Sequence, residues 1–321
     1  MSASSSDLGA ASRPTDASER VAALYDQHPY PDHGVVSSLL ATLCGSTVAR
    51  HRHVGLPPLR VLDAGCGTGE QTLGLARAFP DLEIVGVDFN RNSIERAEAL
   101  RHRHGLSVQF LRRDLLAPLD DLGPFDIICC IGTLHHLPDP AIGLSNLCDA
   151  GRPGTTLVGM VYGRFGRSVW FDVRDAFRHL APRAATRQDA LDQVAALRWG
   201  RNFGAWHYAN ELRSRHRFGP RVPVIESVRR VLAGRNAAYQ ADAFTHEVEQ
   251  SFTWAELSAL ASSAGWTLEG WPERSGMPDR PDQLFTEPTA SDVRSLSLGE
   301  QAAMYERLVR PSNLYFLATR R

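Results

Sequence analysis

The apolar positions change period several times along the chain, and each change marks an element. Val21, Ala22, Leu24 and Tyr25 sit at helical spacing behind Asp16-Ala17-Ser18-Glu19, a capped helix start, and Pro29 and Pro31 end that helix. A second helical stretch is predicted over 35–50. Pro57 and Pro58 then lead into Leu59 to Ala64, a continuous apolar run suited to a strand buried on both faces. From here strand and helix alternate. Further strands are predicted over 83–88, 108–111, 126–132 and 156–162. The helix after the second strand has Asn92 and Glu95 at capping-box spacing and Ile94, Ala97 and Leu100 on one face. Strands alternating with helices in this way predict an α/β fold, a doubly wound sheet with right-handed crossovers.

After Gly163 the rhythm breaks, and residues 164–250, rich in Arg, Ala and Trp, read as a helical insertion. Thr253 and Glu256 form another capping box, opening a helix that runs through Ala264. A strand is expected over 267–271, largely irregular chain with one helix around 300–309 over 272–311, and a last strand over 314–319. No internal repeat stands out. The organisation expected is a disordered leader over 1–16, a helical lid over 17–58, a cofactor-binding core over 59–163, a helical substrate cover over 164–250, and completion of the core sheet over 251–321.

Composition narrows the chemistry. A formal net charge of -1 supplies no overall attraction to polyanions, so neither a nucleic-acid nor a membrane partner is expected. The 35 basic residues are all arginines, which excludes lysine nucleophiles and Schiff bases. Five cysteines, an odd number with no CxxC pair, read as reduced thiols in a cytoplasmic protein. The Ser/Ala-rich start lacks a basic segment followed by an apolar run, and no stretch approaches membrane-spanning length. Nothing in the sequence speaks to oligomeric state.

The strongest local signal is Val61-Leu62-Asp63-Ala64-Gly65-Cys66-Gly67-Thr68-Gly69, a strand running into a glycine-rich turn before a helix beginning near Glu70. Glycines let a ligand approach the backbone. A dinucleotide fingerprint wants a small residue at position 70, and an acidic side chain there is a poor neighbour for pyrophosphate, which disfavours a nicotinamide oxidoreductase. Asp63 can accept from a ligand ammonium group while the backbone of Gly65, Cys66, Gly67 and Gly69 lies along an amino-acid portion. Asp88, ending the next strand, can take both hydroxyls of a ribose, and Asp114, just past the third, can accept from an adenine amino group. Three successive strands thus end in carboxylates.

With these motifs the chain resembles the class I S-adenosylmethionine-dependent methyltransferase superfamily over about 59–162. The segment Leu134-His135-His136-Leu137-Pro138-Asp139-Pro140 is similar to one following the fourth strand in members acting on small molecules, and Arg152-Pro153-Gly154-Thr155 to the turn before the fifth, with Thr155 in place of a glycine. The resemblance implies a Rossmann-like sheet of seven strands with the last antiparallel and inserted between its neighbours, S-adenosyl-L-methionine as cofactor, and Phe89, Leu115 and Ile131 as further cofactor neighbours. The segment Leu24-Tyr25-Asp26-Gln27-His28-Pro29-Tyr30-Pro31, dense in aromatic and proline residues, suggests a lid that brings Tyr25 over the cofactor, the alternative being an ordinary helix end with core aromatics.

His135 and His136 are candidate general bases, the alternative being a helix cap or packing beneath the cofactor. Methyl transfer from a sulfonium is intrinsically downhill, so a base is needed chiefly when the nucleophile carries a proton. Tyr30, Trp170, Trp206, His207 and Tyr208 are the candidate acceptor contacts, the alternative for the aromatic residues of the insertion being a small helical core of its own. The His pairs at 51/53 and 102/104 point apart on a helix, and no metal is expected. The function expected is methyl transfer to oxygen, nitrogen or carbon of a small-molecule acceptor. A peptide or protein acceptor, or a non-catalytic regulator that binds adenosylmethionine, are the alternatives.

Overall fold

The computed structural model describes residues 34, 36–52, 57–180, 248–273 and 275–321. The leader, Tyr25, Tyr30, and the insertion residues Trp206, His207 and Tyr208 lie outside them. One seven-stranded sheet organises the described chain: β1 (Arg60–Ala64), β2 (Glu83–Asp88), β3 (Gln109–Arg112), β4 (Phe125–Ile131), β5 (Gly151–Tyr162), β6 (Trp266–Gly270) and β7 (Asn313–Arg320). Their order is β3-β2-β1-β4-β5-β7-β6, parallel except for β7, which runs antiparallel between β5 and β6. Strand order reverses between β1 and β4, and open α/β sheets bind ligands at the carboxyl edge beside such a reversal.

The helices are α1 (Leu39–His51), α2 (Glu70–Ala78), α3 (Arg91–His104), α4 (Pro140–Asp149), α5 (Arg164–Leu180), α6 (Trp254–Ser263), α7 (Thr289–Ser295) and α8 (Leu298–Val309). One apolar cluster gathers Leu40, Leu43 and Val48 of α1, Leu73 and Leu75 of α2 and Ala97 and Leu100 of α3 against Val61, Ile84 and Ile127. The other gathers Leu144 and Leu147 of α4, Leu257 of α6 and Tyr305 of α8 against Leu62, Ile128 and Leu157. The alternation of side chains along a strand sends successive residues into opposite clusters, which is why β4 and the second half of β5 read as near-continuous apolar runs.

Several boundaries move from their sequence expectation for local reasons. The cap of α3 is Asn90, whose side chain accepts from the Ser93 amide, rather than the Asn92/Glu95 pair. The expected Thr253/Glu256 capping box is present, and α8 begins with a second one, Ser297 with Glu300. Between β6 and β7 there are two helices, α7 and α8, where one was expected. Within the lid expected over 17–58, the described helix α1 is a layer of the core, with Leu40 and Cys44 fully buried. No described helix is long and apolar enough to cross a membrane.

Candidate cofactor and acceptor site

The glycine turn joins β1 to α2 at the reversal point. Gly65, Gly67 and Gly69 have φ of 83°, 53° and 78°, the left-handed region where a side chain is strained. Gly65 is also constrained by space, because a Cβ there would overlap the Thr133 hydroxyl just past β4. The amides of Gly65 and Cys66 both donate to the Val87 carbonyl, at 2.8 and 2.9 Å, and this ties the turn to the end of β2.

Asp63 is buried, and its Oδ2 accepts the Thr72 hydroxyl at 2.6 Å. Asp88 Oδ2 accepts the Gly67 amide at 3.0 Å and Oδ1 the Asn90 amide at 2.9 Å, so the carboxylate closes the loop above the turn. Burial pushes Asp63 up to about 6, against the Thr72 hydrogen bond, with the Asp88 charge adding to the rise. Burial likewise raises Asp88 to about 6, opposed by hydrogen bonds from the Asn90, Gly67 and Phe89 amides. Burial together with these two carboxylates also raises the Cys66 thiol, which therefore stays protonated and unreactive.

Asp114 is exposed just beyond β3, and its Oδ1 accepts the Leu116 amide at 2.9 Å. Leu115 is buried beside it, while Phe89 and Ile131 are half-buried at the ends of β2 and β4. Every described cofactor candidate therefore stands at the carboxyl ends of β1 to β4. Thr72 and Thr133 complete this group and were missed from sequence, since nothing local marks a threonine whose partner comes from another element.

Glu70, the residue weighed against pyrophosphate, is 3% exposed, and its Oε1 accepts the Gly34 amide at 2.6 Å. Its backbone carbonyl accepts from Ser37 at 2.9 Å. A Cβ at Gly74 would overlap the Ser37 carbonyl, so this glycine lets the N-terminal segment lie directly on α2. The chain before α1 thus arrives beside the glycine turn.

Beyond β4, Leu134–His136 form a 3-10 turn in which His135 and His136 are buried. They do not cap the next helix, because Asp139 does, accepting from Ala141 and Ile142. The His135 ring lies 3.7 Å, centroid to centroid, from Tyr162 at the end of β5, and 4.2 Å from His136. His136 Nδ1 lies 3.0 Å from the Val248 carbonyl. A carbonyl only accepts, so Nδ1 carries the proton and Nε2 the lone pair. Burial lowers His136 to about 4 against that hydrogen bond, with Arg167 and Arg174 lowering it further, and the ring is neutral at physiological pH.

The two ends of the long insertion meet here. On α5, Trp170 is buried, and Arg167 lies 3.2 Å from the Tyr162 ring centroid. At the returning end, the Gln250 amide donates to the His135 carbonyl at 2.9 Å and its side chain to the Leu137 carbonyl at 3.0 Å. The Phe252 amide then donates to Tyr162 at 2.8 Å. Among the described residues no three His, Cys, Asp or Glu side chains gather as a metal site.

A buried and a half-buried carboxylate on adjacent strands over a glycine turn, in a seven-stranded sheet with β7 antiparallel between β5 and β6, match the class I S-adenosylmethionine-dependent methyltransferase fold. Residues 57–165 match the family model of a methyltransferase domain, so this part of the chain is a domain of that kind. An uncharacterized protein of Synechococcus sp. is 30% identical over 287 residues, covering 86% of this chain and 64% of that protein. A ubiquinone biosynthesis O-methyltransferase of Methylococcus capsulatus is 32% identical over 106 residues, 33% of this chain and 44% of that one. Among solved structures, PKMT2 from Rickettsia typhi in complex with AdoHcy superposes with a TM-score of 0.68 at 16% identity, over 91% of this chain and 55% of that one. This likeness concerns the fold. The chain spans less than two thirds of the length of each of these three proteins.

The residues present fit S-adenosylmethionine, the cofactor of this superfamily. Two carboxylates whose charge burial makes costly are suited to a ligand bringing an ammonium group and hydroxyl donors. Glu70, buried at the start of α2, leaves that helix end poorly suited to a pyrophosphate.

Proposed function

We propose that the chain transfers a methyl group from S-adenosylmethionine to a nucleophilic atom of a small-molecule acceptor. The observation that carries this reading is the placement of Asp63, Asp88 and the glycine turn at the strand-order reversal, with His136 on the neighbouring strand end. The cofactor, when bound, supplies an electrophilic methyl on a sulfonium. Asp63 would hold its ammonium group, Asp88 its ribose hydroxyls and Asp114 its adenine amino group. Cys66, Phe89, Leu115 and Ile131 would flank it, and Tyr25 would close over it.

His136 is the better candidate base of the two histidines. Its proton is committed to the Val248 carbonyl at Nδ1, so Nε2 is the nitrogen that can accept one. Its lowered pKa makes it a weak base, matched to an acceptor proton already acidified by its surroundings. His135, with its ring on Tyr162, would support the base rather than act as one. The insertion from 164 to 250 would cover the acceptor, since both its described ends lie at this edge, with Trp170 among the contacts and Tyr30, Trp206, His207 and Tyr208 as further candidates. The relative named as a ubiquinone biosynthesis O-methyltransferase supports a small acceptor.

Calorimetry with S-adenosylhomocysteine and with NADH tests the cofactor assignment. Binding of the first and not the second is expected, and the reverse overturns it. Radiolabelled methyl transfer into small phenols and acids, against transfer into peptides, tests the acceptor class. Incorporation confined to peptides rejects the small-molecule reading.

A further inference from the structure

A charged cluster at the edge of this site is used by none of the proposed cofactor contacts. Arg167 and Arg174 are seven residues apart on α5, two helical turns, and so share a face. They are only 7% and 8% exposed. Glu249, with 3% of its side chain exposed, stands against both. Arg174 Nη1 donates to Glu249 Oε2, whereas Arg167 Nη2 is 3.9 Å from Oε1, an ion pair too long to be a hydrogen bond. Among the described residues the buried Nε–H groups of both arginines make no hydrogen bond, that of Arg174 lying 3.8 Å from Asp175 Oδ1, beyond hydrogen-bond distance.

A guanidinium presents five N–H donors in a rigid fork matched to a carboxylate. Burying such a cation with donors unspent is costly, more so when it shares its counter-ion with a second arginine. The face of Arg167 rests on Tyr162, whose ring is also in contact with His135 and stands edge-on to His136 at 5.6 Å. The Arg167 guanidinium therefore lies within one aromatic ring of the proposed base, at the carboxyl edge of β4 and β5, and Arg174 is joined to it through Glu249.

We infer that Arg167 and Arg174 form an anion seat in the acceptor site, holding a carboxylate of the acceptor so that its nucleophilic atom lies toward His136. The inference rests on the methyltransferase reading and deepens it: the acceptor is an acid. The seated carboxylate would take the unspent donors, share the positive charge with Glu249 and fix the acceptor from the side opposite the glycine turn.

Formate is the smallest probe of this chemistry and formamide its neutral counterpart. With fluoride holding ionic strength constant, the thermal midpoint of the S-adenosylhomocysteine-saturated protein should rise saturably with formate, by about 1–2 °C at ten times its Kd, and not with formamide. The rise should disappear in R167Q and R174Q. No saturable response in the unaltered protein overturns the seat without reference to any variant. So does a response that persists in both variants. Calorimetry with S-adenosylhomocysteine on the same samples separates the two readings. Cofactor binding without a formate response rejects the seat alone, and a formate response without cofactor binding rejects the methyltransferase reading. A crystal soaked in formate assigns the source: an anion on Arg167 in a cleft open to the glycine turn supports an acceptor carboxylate. One sealed from it is a free ion and overturns the inference.

Discussion

The carboxyl ends of β1 to β3 and those of β4 and β5 are two halves of one edge, assembled differently. In the first half the contacts to the two carboxylates are short in sequence. Asp63 meets Thr72 nine residues on, and Asp88 meets Asn90 two residues on and Gly67 in the preceding glycine turn, 21 residues back. In the second half His136 meets Val248, Gln250 meets Leu137 and Arg174 meets Glu249, across separations of 112, 113 and 75 residues. On the proposed function the first half would hold the cofactor and could be carried from protein to protein as a short motif, while the second, the proposed acceptor half, exists only once the insertion has returned to the sheet. Substrate choice would then change without disturbing cofactor binding.

Breaking the glycine turn should have the largest effect. Gly65→Val combines a β-branched residue at φ 83° with overlap on Thr133, and should weaken S-adenosylhomocysteine binding by at least about 100-fold in calorimetry. A smaller loss would mean that the turn relaxes freely and does not determine the site. Asp88→Ala removes a charged acceptor for two hydroxyls and should cost about 1–3 kcal/mol, roughly 10- to 100-fold. Unchanged affinity in a folded variant would put the ribose elsewhere.

On the other half, His136→Gln should lower kcat by roughly 10- to 100-fold and leave cofactor affinity unaltered. If affinity falls as much as kcat, the two halves are not separable and the comparison fails.

The halves should also answer pH with opposite signs. Asp63 and Asp88 are raised from 3.8 to about 6, so the ligand-free fold takes up protons that the unfolded chain does not. Their contribution is fully present below about pH 4 and is lost as pH rises through 6. His136 is lowered from 6.5 to about 4, so its contribution is present above pH 6.5 and lost as pH falls through 4. Denaturant titrations between pH 4 and 7 should show Asp63→Asn and His136→Gln tilting the stability profile in opposite directions, each by about 2–3 kcal/mol across the range. Cofactor affinity should fall below pH 6, as the two carboxylates lose the charge that binds ammonium and hydroxyl donors. The smallest effect is expected from Thr72→Val, which removes one hydrogen bond to Asp63 and should weaken cofactor binding several-fold, with the midpoint of its pH dependence moved upward.

Much of this was legible before folding. The apolar runs place five strands within a residue or two of their ends, apart from the earlier start of β5 at Gly151, and the capping box at Thr253 starts its helix as expected. The cap of α3 was misjudged because Asn90 and Asn92 both stand near the helix start, and only the backbone decides which side chain reaches an amide. Thr72, Thr133, Arg167, Arg174 and Glu249 carried no signal, since each owes its role to a partner from another element.

By itself the amino-acid sequence determined the alternation of strands and helices, the turn that only glycines can make, and the carboxylates at the ends of β1 to β3, because periodicity, φ and position along a strand are local properties. Tertiary structure alone decided the choice of Asp139 rather than a histidine to cap α4 and the tautomer of His136. It also decided the seating of Arg167 and Arg174 against Glu249. These depend on which distant groups share a desolvated space, where burial moves a pKa and an unspent hydrogen bond becomes costly, and no spacing along the chain encodes that.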